Sequence, residues 1–383
     1  MTRTVSLLGS TGSIGTQALE VISRHREAFD VVALAAGGSR PDLVIAQALA
    51  FRPRLVALAS GEHADRVREA LPGIEVVAGP DAVVAAAGIG ADVVLNGVTG
   101  AVGLRPTLAA LAAGSTLALA NKESLVAGGA LVKRSLLRPD QLVPVDSEHS
   151  ALAQALRAGA KGEVRRLVVT ASGGAFRGLS VSDLTTATYA DALKHPTWDM
   201  GPVVTVNSAS LVNKALEVIE AHLLFDIPVD RIDVVVHPQS VVHSMVEFVD
   251  GSTIAQVSPP DMRLPIALGL SWPDRLDDIT PAPDWSIPQA WTFEPLDEDT
   301  FPAIRLAREA LAASELHPAV FNAANEECVA AFAAGDLSFL GIVETVRDVV
   351  EAYGGATASS VEAVEDAEAW ARERARTVLA AKK

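Results

Sequence analysis

Seven short apolar runs recur along the first 150 residues: TVSLLG (4–9), VVALAAG (31–37), RLVALAS (54–60), IEVVAG (74–79), ADVVLNG (91–97), STLALAN (115–121) and QLVPVD (141–146). Each reads as a strand. The stretches between them, such as GTQALEVISRHREAF and RPTLAALAAG, carry helical spacing. Strands apolar on both faces and alternating with helices predict a parallel sheet covered on both sides. Past residue 150 the rhythm changes. RRLVVTASGG (165–174) is a strand ending in a glycine turn, and 175–204 is a long, weakly periodic loop with the character of a lid. A helix is predicted over 209–224. VVHSMVEFVDGSTIAQVS (241–258) then reads as a hairpin around Asp250-Gly251, whose open edge suits pairing with a second subunit. The chain thus divides into an α/β domain (1–149), an α+β domain (150–274), a Pro- and Trp-rich linker (275–302) and a small α-helical domain (303–383).

Composition narrows the class. An apolar share of 49% with 20% charged residues is that of a globular protein, not a disordered one. Long apolar stretches such as 108–120 are interrupted, there by Gly114, Ser115 and Thr116, so no membrane span is expected. The N-terminus shows no signal or transit pattern, and Cys328 is the one cysteine, so a cytoplasmic location is expected. A formal net charge of −16 argues against nucleic-acid binding, which needs basic surface. It leaves anionic small molecules open, since backbone N–H groups and local lysines can hold a phosphate.

GSTGSIG (9–15) follows the first strand and opens the first helix. Gly9, Gly12 and Gly15 would let the backbone turn tightly and meet a pyrophosphate at the helix N-terminus, as in a Rossmann-like nucleotide domain. The spacing is G-x-x-G-x-x-G, and the bland alternative is a turn needed only for strand–helix packing. The second strand ends AAGGSR (35–40), without the acid that binds a ribose 2′-hydroxyl in NAD-specific folds but with Ser39 and Arg40. That favours NADP(H), the alternative being a solvated arginine. ANKES (120–124) places Asn121, Lys122 and Glu123 just past a further strand, facing the same crevice, or else forming an Asn-capped helix start.

VDSEH (145–149) sets Asp146 and Glu148 two residues apart, on one side of an extended chain. Such a pair suits Mg²⁺ or Mn²⁺. A helix N-cap with acids near the positive helix end is the competing reading. A third carboxylate occurs in NSASLVNKALEVIEAH (207–222). Asn213, Lys214 and Glu217 share one helix face by i,i+3 and i,i+4 spacing, and Ser208 is expected at the helix start, where free N–H groups could bind a phosphate. Ser172 in ASGG is a second phosphate candidate. His195 and Trp198 in HPTWDMG lie in the lid, where the indole could fold over a ligand. The histidines of HPQSVVH (237–243) have no metal spacing, and a structural role is expected of them.

Together GSTGSIG, LANKESLV, PVDSEH, TASGGAFR, HPTWDMG, NSASLVNKALEVIEAH, HPQSVVHSMV, PPDMRLPIA and NAANEE make the chain resemble the 1-deoxy-D-xylulose 5-phosphate reductoisomerase family over nearly its whole length. The resemblance implies metal-dependent rearrangement and NADPH-dependent reduction of that sugar phosphate to 2-C-methyl-D-erythritol 4-phosphate, in a homodimer. It implies Asp146, Glu148 and Glu217 as metal ligands, and Lys122, Glu148 and His195 in catalysis. Substrate contacts fall to Lys122, Ser147, Glu148, Ser172, His195, Trp198, Ser208, Asn213, Lys214 and Glu217. NADPH contacts fall to Thr11, Gly12, Ser13, Ile14, Gly37, Asn121, Glu123 and Gly201; where a basic residue and Asn often follow the glycine matching Gly37, this chain has Gly38 and Ser39, with Arg40 expected as the substitute 2′-phosphate contact. A rival reading is another NADP-dependent dehydrogenase sharing only the nucleotide domain, which needs no set of three carboxylates. A non-catalytic redox sensor would be expected to lack Lys122 or Glu217, and both are present.

Overall fold

In a computed structural model, which describes residues 2–198 and 200–382, the chain forms two compact units. The first comprises residues 1–124, 132–150 and 261–281. All seven expected strands form: β1 (Arg3–Leu8), β2 (Phe29–Ala36), β3 (Leu55–Leu58), β4 (Glu75–Ala78), β5 (Val93–Asn96), β6 (Thr116–Leu119) and β7 (Leu142–Pro144). They make one sheet in the order β4-β3-β2-β1-β5-β6-β7. Every ladder is parallel, and the central strands are largely buried because helices cover both faces.

Strand order reverses between β1 and β5, so the loops after these two strands flank the crevice where open parallel sheets bind ligands. Two glycines allow the loops to meet. Gly9 has φ +83°, and a Cβ on it would stand 2.6 Å from the Gly97 carbonyl oxygen. A Cβ on Gly15 would strike the Gly9 carbonyl and the Ser10 backbone.

The helix Arg263–Ser271 belongs to this first unit, whereas the sequence alone grouped it with 150–274. Ile266, Ala267 and Leu270 are buried in the same core as β1, β5 and β6. Gly269 lies so close to the end of β7 that a Cβ there would be 2.9 Å from the Val145 side chain. The residue preceding Asp146 is therefore clamped.

The second unit comprises residues 125–131, 151–260 and 282–383. Its strands are β8 (Val164–Ala171), β9 (Ile232–Val236), β10 (Val242–Phe248), β11 (Thr253–Val257) and β12 (Glu294–Pro295), in the order β11-β10-β8-β9-β12. The sheet is mixed: β8 and β9 run parallel and the other ladders are antiparallel. The β10–β11 hairpin turns where expected. Asp250 accepts bonds from the N–H and hydroxyl of Ser252, and Gly251 takes φ +90°. The linker is not wholly irregular, since β12 pairs with β9. Four helices close the unit: Ala303–Ala313, His317–Ala334, Phe339–Ala352 and Val361–Lys382. Among the described residues no helix is long and apolar enough to cross a membrane.

Two expectations change here. The span 175–204 is not one open loop. Short helices at Val181–Leu184 and Tyr189–Ala192 are closed by capping boxes, Ser180 with Asp183 and Thr188 with Asp191. Phe176 packs edge-on against Phe339, and Tyr189 against Phe332, which ties most of the span to the C-terminal helices. The helix expected over 209–224 forms as Val212–Phe225, and a separate helix, Pro202–Ala209, precedes it across a break at Leu211, which takes a left-handed φ of 58°. Periodicity could not reveal the break, because the apolar spacing continues across it.

Candidate functional site

In the first unit, the helix Ser13–Arg24 begins at Gly12 with no side-chain cap and no acid in its first turn. Its leading N–H groups are thus left to an anion, and the dipole favours one there. Thr11, Ser13 and Ile14 line this start. Arg40 Nη1 donates to the Thr11 carbonyl at 3.0 Å, so the guanidinium lies over the glycine loop and is not merely solvated. Gly37 has open space where a side chain would be, and Ser39 is exposed beside it. Beneath the loop, Gln47 is buried and its Nε2 donates to the Ser10 carbonyl at 2.8 Å. Sequence reading missed this brace because nothing local links the two positions.

Asn121 is buried and does cap a helix: its Oδ1 accepts from Ser124 N at 2.6 Å, while its Nδ2 holds the Gly100 carbonyl at 2.8 Å. The capping alternative describes its side chain, which also fixes the loop after β5. Lys122 and Glu123 follow in the first turn of that helix.

Lys122 forms an ion pair with Asp146, and both side chains are nearly buried, at 12% and 13% exposure. Burial alone would raise the Asp146 carboxyl. The Lys122 charge, His149 and a hydrogen bond with Glu148 outweigh it and hold the group well below the usual carboxylate range. His149, buried one helical turn beyond Asp146, is a further member of this cluster. The extended-chain placement of Asp146 and Glu148 is corrected. β7 ends at Pro144 and a helix starts at Ser147, so Asp146 occupies the cap position and its carbonyl accepts from Ser150 N at 2.8 Å. Glu148 lies in the first turn, where Ser147 Oγ donates to it at 2.6 Å. The turn into helix brings Ser147 to the same end as the acids, where strand alternation would have opposed it.

In the second unit, Ser172 Oγ is 3.0 Å from His195 Nε2 and accepts from Gly174 N at 3.2 Å. His195 Nδ1 accepts the N–H groups of Thr197 and Trp198, at 3.1 and 2.9 Å. The neutral ring therefore carries its proton on Nε2 and donates it to Ser172. Burial favours that neutral form by lowering the His195 pKa. With two donors already pointing at its oxygen, the Ser172 hydroxyl has its own hydrogen to give to an anion. Trp198 packs on His243, ring centroids 6.2 Å apart.

Asn213 and Lys214 both bond to Glu217, as their helical spacing predicted. Lys214 and Glu217 are almost fully buried, an arrangement that strands no charge. Ser208 is not at a helix start: it sits in the last turn of Pro202–Ala209, and Gly201, exposed, caps the other end. His237 and His243 are structural. His237 Nε2 accepts from Val241 N and Val242 N while Nδ1 faces the Thr292 carbonyl, and His243 faces the Ser258 carbonyl.

These features define a class: a dinucleotide-dependent oxidoreductase whose polar groups suit a phosphorylated substrate and a hard cation. Residues 5–129 match the family described as 1-deoxy-D-xylulose 5-phosphate reductoisomerase, and 142–225 and 257–374 match its two C-terminal domains. The enzyme of that name from Beutenbergia cavernae is 63% identical over 99% of this chain and 98% of its own. That from Kitasatospora griseola is 58% identical over 98% and 99%. Among solved structures, the reductoisomerase from Zymomonas mobilis in complex with NADPH aligns at TM-score 0.93 with 40% identity, covering 99% of both chains. A reductoisomerase in complex with NADPH, fosmidomycin and magnesium aligns at 0.90 with 32% identity, covering 98% of both. The chain belongs to the 1-deoxy-D-xylulose 5-phosphate reductoisomerase family.

Proposed function

We propose that this protein converts 1-deoxy-D-xylulose 5-phosphate to 2-C-methyl-D-erythritol 4-phosphate, oxidising NADPH in a reaction that needs a divalent cation, and so supplies the non-mevalonate route to isoprenoids. The observation that carries the reading is the Asn213–Lys214–Glu217 face, where an anion-binding ammonium and a carboxylate are buried together on one helix. A dehydrogenase sharing only the nucleotide domain has no use for that face.

Asp146, Glu148 and Glu217 would hold Mg²⁺ or Mn²⁺. The set is all oxygen, and Asp146 is kept ionised, which fits a hard cation. Bound there, the cation supplies Lewis-acid stabilisation of the negative charge that develops as the carbon skeleton rearranges. Thr11, Gly12, Ser13, Ile14, Gly37, Ser39, Arg40, Asn121, Glu123 and Gly201 would hold NADPH, the source of hydride. Ser172, Ser208, Asn213 and Lys214 grip the phosphate, keeping the breaking and re-forming C–C bond effectively intramolecular. Ser147 and Glu148 contact the sugar. Lys122 polarises the carbonyl oxygen that is reduced. His195 orients Ser172, and Trp198 excludes water when the segment closes.

A homodimer is part of the proposal. β11 is an edge strand with exposed Ile254, and a second subunit pairing there would cover it. A cytoplasmic location is also part of the proposal, in keeping with a single cysteine, Cys328, that can form no disulfide within the chain. The test is NADPH consumption by the purified protein with the sugar phosphate, with and without chelator. Metal-dependent consumption with formation of the branched product is expected, and no consumption under any metal or nicotinamide cofactor overturns the reading. Glu217→Gln should abolish turnover and leave NADPH affinity intact.

A further inference from the structure

The NAANEE run near the C-terminus has no place in the chemistry above, yet it contributes a buried polar contact to the phosphate-binding region. Asn325, on the helix His317–Ala334, is fully buried, and its Nδ2 donates to Asn207 Oδ1 at 2.9 Å. Asn207 is itself buried and lies in the last turns of Pro202–Ala209, one residue before Ser208. The Asn325 Oδ1 has no hydrogen-bond partner among the described residues. An amide buried in the core, its oxygen without a partner among the described residues, is a costly choice for packing alone, where an apolar side chain of similar size would serve.

The position of Asn207 gives the choice a purpose. The helix carrying it is short and has no side-chain cap at its N-terminus. It ends at the Leu211 break, so the next helix does not hold it in line. On its other side, Gly174 packs against the Ser208 backbone so closely that no Cβ fits. Ser208 is thus set from two directions, by the glycine turn that bears Ser172 and by the asparagine pair.

We infer that Asn325 is a positioning residue for phosphate binding. Acting through Asn207, it fixes the helix Pro202–Ala209 so that Ser208 stands in register with Ser172. The inference rests on the assignment of Ser172 and Ser208 to the substrate phosphate. It gives the C-terminal helical region a part in substrate affinity beyond support.

The test compares Asn325→Ala, Asn207→Ala and the double variant with the parent enzyme, reading the KM for sugar phosphate, the inhibition constant of inorganic phosphate, the KM for NADPH, and thermal stability. Each single variant should raise the first two together, by about tenfold, and leave the KM for NADPH unchanged, and the double variant should match the singles because they break one contact. Asn325→Ser, which keeps a small polar group but cannot span the gap, should behave like alanine and serves if alanine does not fold. Variants that melt earlier with unchanged phosphate inhibition, additive effects, or an equal rise in the KM for NADPH would each overturn the inference. Parent enzyme that is active but insensitive to Ser172→Ala and Ser208→Ala would instead discard the phosphate assignment beneath it.

Discussion

The α carbon of Gly174 rests against the carbonyl of Ser208, in a left-handed conformation at φ +66° with no space for a side chain. This contact joins the turn after β8 to the end of the helix Pro202–Ala209, and with them two hydroxyl groups assigned to one phosphate. Gly174→Ala would combine backbone strain with a collision against main-chain atoms, at a cost of about 2–4 kcal/mol. Urea denaturation should show a lower midpoint, and the KM for sugar phosphate should rise more than that for NADPH. Wild-type values for both would mean that the turn yields freely.

Lys122 and Asp146 form a nearly buried ion pair. Lys122→Met would leave the carboxylate partly desolvated without its main countercharge. Since both groups retain some exposure, the loss should be about 2 kcal/mol, below that for a fully buried pair. It should be measured on chelated protein, so that a cation does not take the place of the ammonium. Turnover should fall on the order of a hundredfold or more, because the same ammonium polarises the reacting oxygen. An unchanged rate would remove Lys122 from the chemistry.

The pH dependence of the closing segment follows from His195. Burial lowers its pKa from the ordinary 6.5. The unfolded chain therefore binds a proton at higher pH than the folded one. Its neutral form favours the folded state, and that contribution, complete above pH 6.5, is lost as pH falls through the depressed value. Protonation also places a hydrogen on Nδ1, against the N–H groups of Thr197 and Trp198. The difference in stability between parent and His195→Gln should shrink across that window, and the imidazole proton resonances of His195 should titrate below 6.5. A titration above 6.5 would contradict the assigned tautomer.

Arg40 donates to the Thr11 carbonyl, above the start of the first helix. If it also meets the 2′-phosphate, Arg40→Ala should lower kcat/KM for NADPH about tenfold, the worth of one charge-assisted contact, and leave the value for NADH nearly unchanged. Equal losses with both cofactors would assign the arginine to holding the loop alone.

What the chain determined by itself is local and periodic. Seven apolar runs became seven parallel strands because strands buried on both faces need no partner-specific pattern. Asn213, Lys214 and Glu217 met because three and four residues make one helical turn. Tertiary structure decided the rest. Lys122 meets Asp146 only because β6 and β7 are neighbours in register, and Gln47 reaches Ser10 only because its helix, Pro41–Phe51, lies under the glycine loop. The helical start at Ser147 is the cap alternative that the residues offered beside the strand, and packing chose it, while nothing in the apolar spacing marked the left-handed break at Leu211. Asn325 finds Asn207 across 118 positions. Such contacts depend on packing between distant elements, and a single chain's pattern of polar and apolar positions records which faces are buried but not what each one buries against.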